Sequence, residues 1–241
     1  MKIALVALGQ KASVGLLVIG VLACGQTPPS EGNGQPAPVR SAVLDQIAVP
    51  AEDSPGLVIL GDSLTAGLGL AANESYPALL QDRLIAQNYR VRIVNAGVSG
   101  DTSAGGLRRL DWALDERTSG LLLALGGNDG LRGLPAEEMK ANLGKIITIA
   151  RNRNIEVLLA GMEAPPNFGE LYTSEFRDVF HQLAREHAVA LVPFLLGDVA
   201  GIRELNQPDG IHPNAEGASR IAEHLWPAVE LLVRRMMDAK G

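Results

Sequence analysis

Short aliphatic runs alternate along the chain with segments whose apolar residues recur every three or four positions. The runs are LVILG (57–61), VRIVNAG (91–97), LLLALGG (121–127), EVLLAGM (156–162) and VALVPF (189–194). Such near-continuous apolar stretches suit strands buried on both faces. Between them, Leu107, Leu110 and Leu114 fall at helical spacing behind a Thr102/Ser103 cap. Leu143, Ile146, Ile147 and Ala150 form a stripe on a helix opened by Pro135, with Glu137 and Glu138 in its first turn. A last helix carries Ile221, Leu225, Val229 and Leu232 on one face. Strand, helix and strand in repetition mean parallel strands joined by right-handed crossovers, with helices on both sides. The predicted fold is α/β, a three-layer α/β/α sandwich around a five-stranded parallel sheet.

Sheets of this kind bind ligands outside the carboxyl ends of their strands. Gly61-Asp62-Ser63 follows the first predicted strand, NAGVSGDTS (95–103) closes the second, and GGNDG (126–130) follows the third. Three polar, glycine-rich turns are therefore expected on one edge of the sheet.

The N-terminus reads differently. Lys2 and Lys11 precede ASVGLLVIGVLAC (12–24), too short for a comfortable membrane span of about 20 apolar residues and patterned like a secretory signal. Its end, VLAC, resembles the lipobox of bacterial lipoproteins, which implies cleavage before Cys24, lipidation of that residue and a place in the cell envelope. An ordinary signal peptide with an incidental cysteine and a retained short anchor are the alternatives. Cys24 is the one cysteine of the sequence, so no intramolecular disulfide forms. The Pro- and Gly-rich stretch after it (25–50) reads as a tether, leaving 51–241 as the folded domain. With 46% hydrophobic and 20% charged residues, the 241-residue chain can fill one full core. A net charge of −6 and the lack of a basic tract argue against nucleic acid as partner and against charge-driven membrane binding.

The candidate chemistry starts at Ser63. A serine is a weak nucleophile until a base activates it. Asp209 and His212 stand three apart in a turn-rich loop before the last helix. That spacing lets a carboxylate hold Nδ1 of the imidazole while Nε2 faces the Ser63 hydroxyl, with Pro213 starting the helix and stiffening the loop. An oxyanion would need donors, and the Ser63 N–H, the Gly100 N–H and the Asn128 side-chain amide are candidates. Each residue also has a plainer reading. Ser63 can be a helix cap, Asp62 a turn former, Asn128 a turn residue, Asp129 a local cap for the segment after it, and Asp209 with His212 a surface turn. No further His or Cys stands at metal-ligand spacing, and no metal or cofactor is called for. His181, His187 and His224 read as surface or core-edge residues, Trp112 and Trp226 as core. The chain lacks a G-x-S-x-G elbow, which counts against the α/β-hydrolase fold.

Ser63 in Gly-Asp-Ser-Leu, Gly100 in NAGVSGDTS, Asn128 in GGND, and Asp209 with His212 in DGIHP occur in the order of the blocks of the SGNH (GDSL) hydrolases. The chain resembles that family from Leu57 to its C-terminus, and GGNDGLRG (126–133) is similar to a bacterial subgroup of secreted acyl-thioesterases, arylesterases and lysophospholipases. The resemblance implies a flavodoxin-like sheet, Ser63 as nucleophile, His212 as base, Asp209 as its orienter, and Ser63, Gly100 and Asn128 around the oxyanion. It implies a serine esterase or thioesterase that forms an acyl-serine on small acyl or aryl esters and needs no cofactor. A carbohydrate acetylesterase and a non-catalytic, tethered binding lipoprotein are the alternatives. GMEAPPNFGELY (161–172), with Phe168 and Tyr172, is expected to rim the pocket together with Leu131 and Leu134, favouring an acyl or aryl group over a sugar.

Overall fold

The computed structural model describes residue 50 and residues 53–238. The expected signal, Cys24 and the tether up to residue 49 lie outside the described residues. Strands β1 (Gly56–Gly61), β2 (Arg92–Gly97), β3 (Thr118–Ala124), β4 (Glu156–Ala160) and β5 (Ala190–Val192) form one parallel sheet in the order β2-β1-β3-β4-β5. Each predicted run contributes one strand. β3 begins at Thr118, ahead of its apolar run, because Thr118 and Ser119 are buried along with the leucines. From β1 the chain steps to the edge strand β2 and then returns past β1 to β3. The order of strands reverses there, and the turns after β1 and β3 diverge around a crevice. Register brings the strand ends level, since Gly61 pairs with Gly97 on one side and with Ala124 on the other.

The helices are α1 (Ser63–Ala66), α2 (Tyr76–Ala86), α3 (Ser103–Arg108), α4 (Leu110–Ala113), α5 (Gly127–Leu131), α6 (Ala136–Asn152), α7 (Glu170–Glu186) and α8 (Ala215–Asp238). α2 packs on α8 to make one layer, while α3, α6 and α7 pack side by side as another. The apolar stripes read from the sequence face inward: Leu143, Ile146, Ile147 and Ala150 on α6, and Ile221, Leu225, Val229 and Leu232 on α8, are all buried. α8 runs through Pro227 without ending, because that residue lies on the exposed face, where the carbonyl left without a donor meets water. α8 begins at the carboxyl edge and descends to the amino edge, where Met236 packs against Gly120 near the start of β3.

Three expectations are corrected. The helix through Leu107, Leu110 and Leu114 is two pieces, broken at Arg109, whose side chain bonds Asp101 and the Gly61 carbonyl. Trp112 is not core but 81% exposed: Leu110 and Ala113 take the buried face of the single turn α4, and Trp112 points the other way. Trp226 is buried as expected, under the Arg83 guanidinium 4.6 Å from its ring. Pro213 does not open the last helix. α8 starts at Ala215, with the Asn214 side chain accepting from Gly217 N at 3.0 Å as its cap, while Pro213 pairs with Asn206 in an isolated antiparallel bridge.

Candidate active site

Strand β1 ends at Gly61 and the chain turns at once into α1, with Asp62 as its cap and Ser63 as its first residue. Only glycine fits at 61, because a Cβ there would lie 1.9 Å from Thr65 Oγ1 on the turn folded back above it. The Asp62 carboxylate is buried and accepts from Leu64 N at 3.1 Å, shaping the turn. Its other oxygen accepts from the Asn128 side-chain amide at 3.2 Å, a link to the turn after β3 that the sequence did not suggest. Burial pushes the Asp62 carboxyl up from 3.8 to about 6, against the opposing pull of the Leu64 and Asn128 hydrogen bonds and of His212 nearby.

The loop before α8 supplies the other half. Ser63 Oγ lies 2.9 Å from His212 Nε2, and His212 Nδ1 lies 2.7 Å from Asp209 Oδ2. Asp209 Oδ1 accepts from the backbone N–H groups of His212 and Ile211, at 3.0 and 2.9 Å. These donations, from His212 first, hold the carboxyl down at about 2, so Asp209 stays charged across any working pH. Gln207 fastens the loop to the nucleophile turn: its amide donates to the Leu68 carbonyl at 2.7 Å and to the Pro213 carbonyl at 2.9 Å. No local sequence signal announces that role.

Gly100 occupies a hydrogen-bonded turn, Asp101 N to Val98 O at 3.1 Å, with φ of +82°. The third position of a type II turn requires that conformation, and glycine adopts it without strain. Among the described residues no acceptor faces the Gly100 N–H. Asn128 sits in the first turn of α5 and spends one amide hydrogen on Asp62, leaving the other for the crevice. Ser63, first in its helix, has an N–H without an intrahelical partner. Asp129 is not a local cap. Buried, it accepts from Ser103 N at 2.8 Å and Ser103 Oγ at 2.6 Å, tying the turn after β3 to the start of α3.

Ser63, Gly100, Asn128 and His212 all line one cavity of about 540 Å³. Its remaining wall is mainly apolar, including Leu64, Leu131, Met162, Pro165, Phe194 and Leu196. The diproline segment lines it as expected, and so does Leu131. Leu134, Phe168 and Tyr172 do not. Tyr172 OH donates to the Leu134 carbonyl at 2.7 Å, and the Phe168 ring packs at 5.5 Å from that of Tyr172, beside Gly133. Their aromaticity serves a ring ladder that continues to Phe176 and Phe180. Phe194, by contrast, was read as part of a strand. It lies just past the carboxyl end of β5, where the edge rule would have placed a pocket residue. Among the described residues no group of His, Cys, Asp and Glu has a metal-holding arrangement, and no helix is long and apolar enough to cross a membrane.

The sequence profile of the GDSL-like Lipase/Acylhydrolase family matches residues 59–220. The chain belongs to that family. It is an ester-hydrolysing serine hydrolase with the α/β/α fold of the SGNH esterases. Esterase TesA of Pseudomonas aeruginosa is 43% identical over 178 residues, covering 73% of this chain and 89% of that protein. Thioesterase 1/protease 1/lysophospholipase L1 of Escherichia coli K12 is 39% identical over 176 residues, 73% of this chain and 82% of that protein. The crystal structure of the psychrotrophic esterase EstA from a Pseudoalteromonas species, inhibited by monoethylphosphonate, superposes with a TM-score of 0.71 at 34% identity, covering 74% of this chain and 98% of that one. In this GDSL hydrolase, the four sequence blocks meet at the carboxyl edge of one sheet.

Proposed function

We propose that Ser63 is the nucleophile of a two-step acyl transfer, with His212 as base and Asp209 as its orienter. The observation that carries the reading is the chain of short contacts, Ser63 Oγ to His212 Nε2 at 2.9 Å and His212 Nδ1 to Asp209 at 2.7 Å, at an apolar cavity. Ser63 Oγ gives its proton to His212 Nε2 and bonds the ester carbonyl carbon. The carbonyl oxygen takes the negative charge, facing the Ser63 N–H, the Gly100 N–H and the free amide hydrogen of Asn128. His212 passes the proton to the leaving oxygen or sulfur, and acyl-Ser63 remains. Water, deprotonated by His212, attacks that ester, the acyl–Oγ bond breaks as His212 returns the proton to Ser63 Oγ, and the acid is released.

The cavity has the size of an ordinary small-molecule site and an apolar wall, which supports acyl chains of medium or greater length, as esters or thioesters, or aryl esters. The relatives' names, esterase and thioesterase with lysophospholipase, support the same range. A carbohydrate acetylesterase would want a more polar cleft. Export with a lipid on Cys24 is part of the proposal, supported by the signal pattern and the VLAC string.

The test is kcat/KM over p-nitrophenyl esters and matching thioesters from acetyl to palmitoyl, with Ser63→Ala as blank. A Ser63-dependent optimum beyond acetyl supports the reading. A profile falling steeply after acetyl moves the assignment to deacetylation, and turnover that survives Ser63→Ala removes Ser63 as nucleophile.

A further inference from the structure

The turns that carry the oxyanion candidates Gly100 and Asn128 are bridged at their tip by one exposed side chain. Arg132 follows α5, and its backbone N–H donates to the Asn128 carbonyl at 3.2 Å. Its guanidinium reaches the turn after β2, where Nη2 donates to the Gly100 carbonyl at 2.8 Å. Val98, Ser99 and Gly100 are exposed, and Gly100 has no side chain to pack. The turn is fixed at its ends by Val98 N to Gly61 O and Asp101 N to Val98 O, both 3.1 Å. At Gly100 itself, Arg132 supplies the hold. A Cβ on Gly100 would meet nothing nearer than Arg132 Nη2, at 3.7 Å.

We propose that Arg132 is a positioning residue that sets the spacing between the Gly100 N–H and the Asn128 amide. The inference rests on the oxyanion roles proposed above. An exposed arginine–carbonyl bond contributes little to global stability, but donors act on a developing oxyanion only when held in place before it forms. The buried Asp129–Ser103 link joins the same two turns at their base, so loss of Arg132 leaves the fold intact and loosens only the tip.

The experiment compares Arg132→Gln, Arg132→Ala and Arg132→Lys on one p-nitrophenyl ester, together with their rates of inactivation by an alkyl phosphonate ester. The phosphonyl oxygen of that adduct would occupy the oxyanion position. Expected for Gln and Ala is a parallel fall of about tenfold in kcat and inactivation rate, with KM within about twofold and unchanged thermal unfolding. Lys, which can still donate to the carbonyl, and guanidinium chloride added to the Ala variant each restore part of the rate. In an Asn128→Ala background the Arg132→Ala loss shrinks, because one of the donors it spaces is already gone. Unchanged kcat, a loss confined to KM, or an equal loss in the Asn128→Ala background overturns the placement of Arg132. Absence of Ser63-dependent turnover in the wild type instead overturns the catalytic reading beneath it.

Discussion

Asp62 and Asn128 meet at 3.2 Å beneath the crevice, joining the turn that carries Ser63 to the turn that offers the side-chain amide. A buried carboxylate in that position is costly when ionised and useful when it orients a donor.

Asp62 makes stability depend on pH in a definite direction. Its folded-state value of about 6 exceeds the unfolded 3.8, so between those values the native state holds a proton that the unfolded chain has released. Stability therefore falls as pH rises through this window and is flat above it, by about 3 kcal/mol in all. Denaturant midpoints from pH 4 to 7 should fall for the wild type and fall less for Asp62→Asn. Parallel curves would refute the assignment. The same substitution sets two amide donors facing each other and should lower kcat by about ten- to a hundredfold.

On the proposed roles, Ser63 and His212 act as a unit. Ser63→Ala and His212→Ala should each lower kcat by roughly four to six orders of magnitude, and the double variant should do little further harm. Additive losses in this cycle would mean independent roles. Since Asp209 stays ionised down to about 2, an acid limb of kcat/KM at higher pH does not arise from it. That limb should persist in whatever activity Asp209→Ala retains.

Chain-length preference should follow cavity shape. Ala200 lines the cavity yet is exposed, so a larger side chain fits there without disturbing the core. Ala200→Trp should leave acetyl ester turnover within about threefold and cut palmitoyl ester turnover by about tenfold or more. A uniform loss across the series would place Ala200 outside the acyl path.

Backbone strain offers an independent check on the fold. Ala188 follows α7 with φ of +50°, a left-handed conformation that glycine takes at lower cost. Ala188→Gly should raise stability by about 0.5–1 kcal/mol in urea unfolding, without effect on kcat. A destabilised variant would contradict the left-handed backbone at Ala188.

What the sequence made legible divides along physical lines. Each aliphatic run became a strand, although the edge strands β2 and β5 are only partly buried. β1, β3 and β4 are buried on both faces, and such burial leaves a local signature. The stripes of α6 and α8 faced inward for the same reason. Ser63, Gly100 and Asn128 stand in short motifs after strands, whose ends in a parallel sheet share one edge, and Asp209 with His212 stand in a short motif just before α8. The illegible part is contact between turns. Asp129 looked like a local cap, yet its partner Ser103 lies 26 residues away. Gln207 reaches Leu68, 139 positions distant. Such pairs depend on the strand order, which no window of sequence contains. Trp112, Phe168 and Tyr172 failed differently: large aromatic residues suggest core or pocket, but which way each faces is decided by its neighbours along the turn.

The fold also sets an orientation. β1 enters at the amino edge and α8 finishes there, while Ser63 stands at the carboxyl edge. A six-residue strand is about 20 Å long, so the start of β1 and the end of α8 lie on the side of the sheet away from the crevice. A bulky label placed at exposed Asp53 or Asp238 therefore leaves the mouth unobstructed. Coupling through the loop at Gln207–His212 would obstruct it.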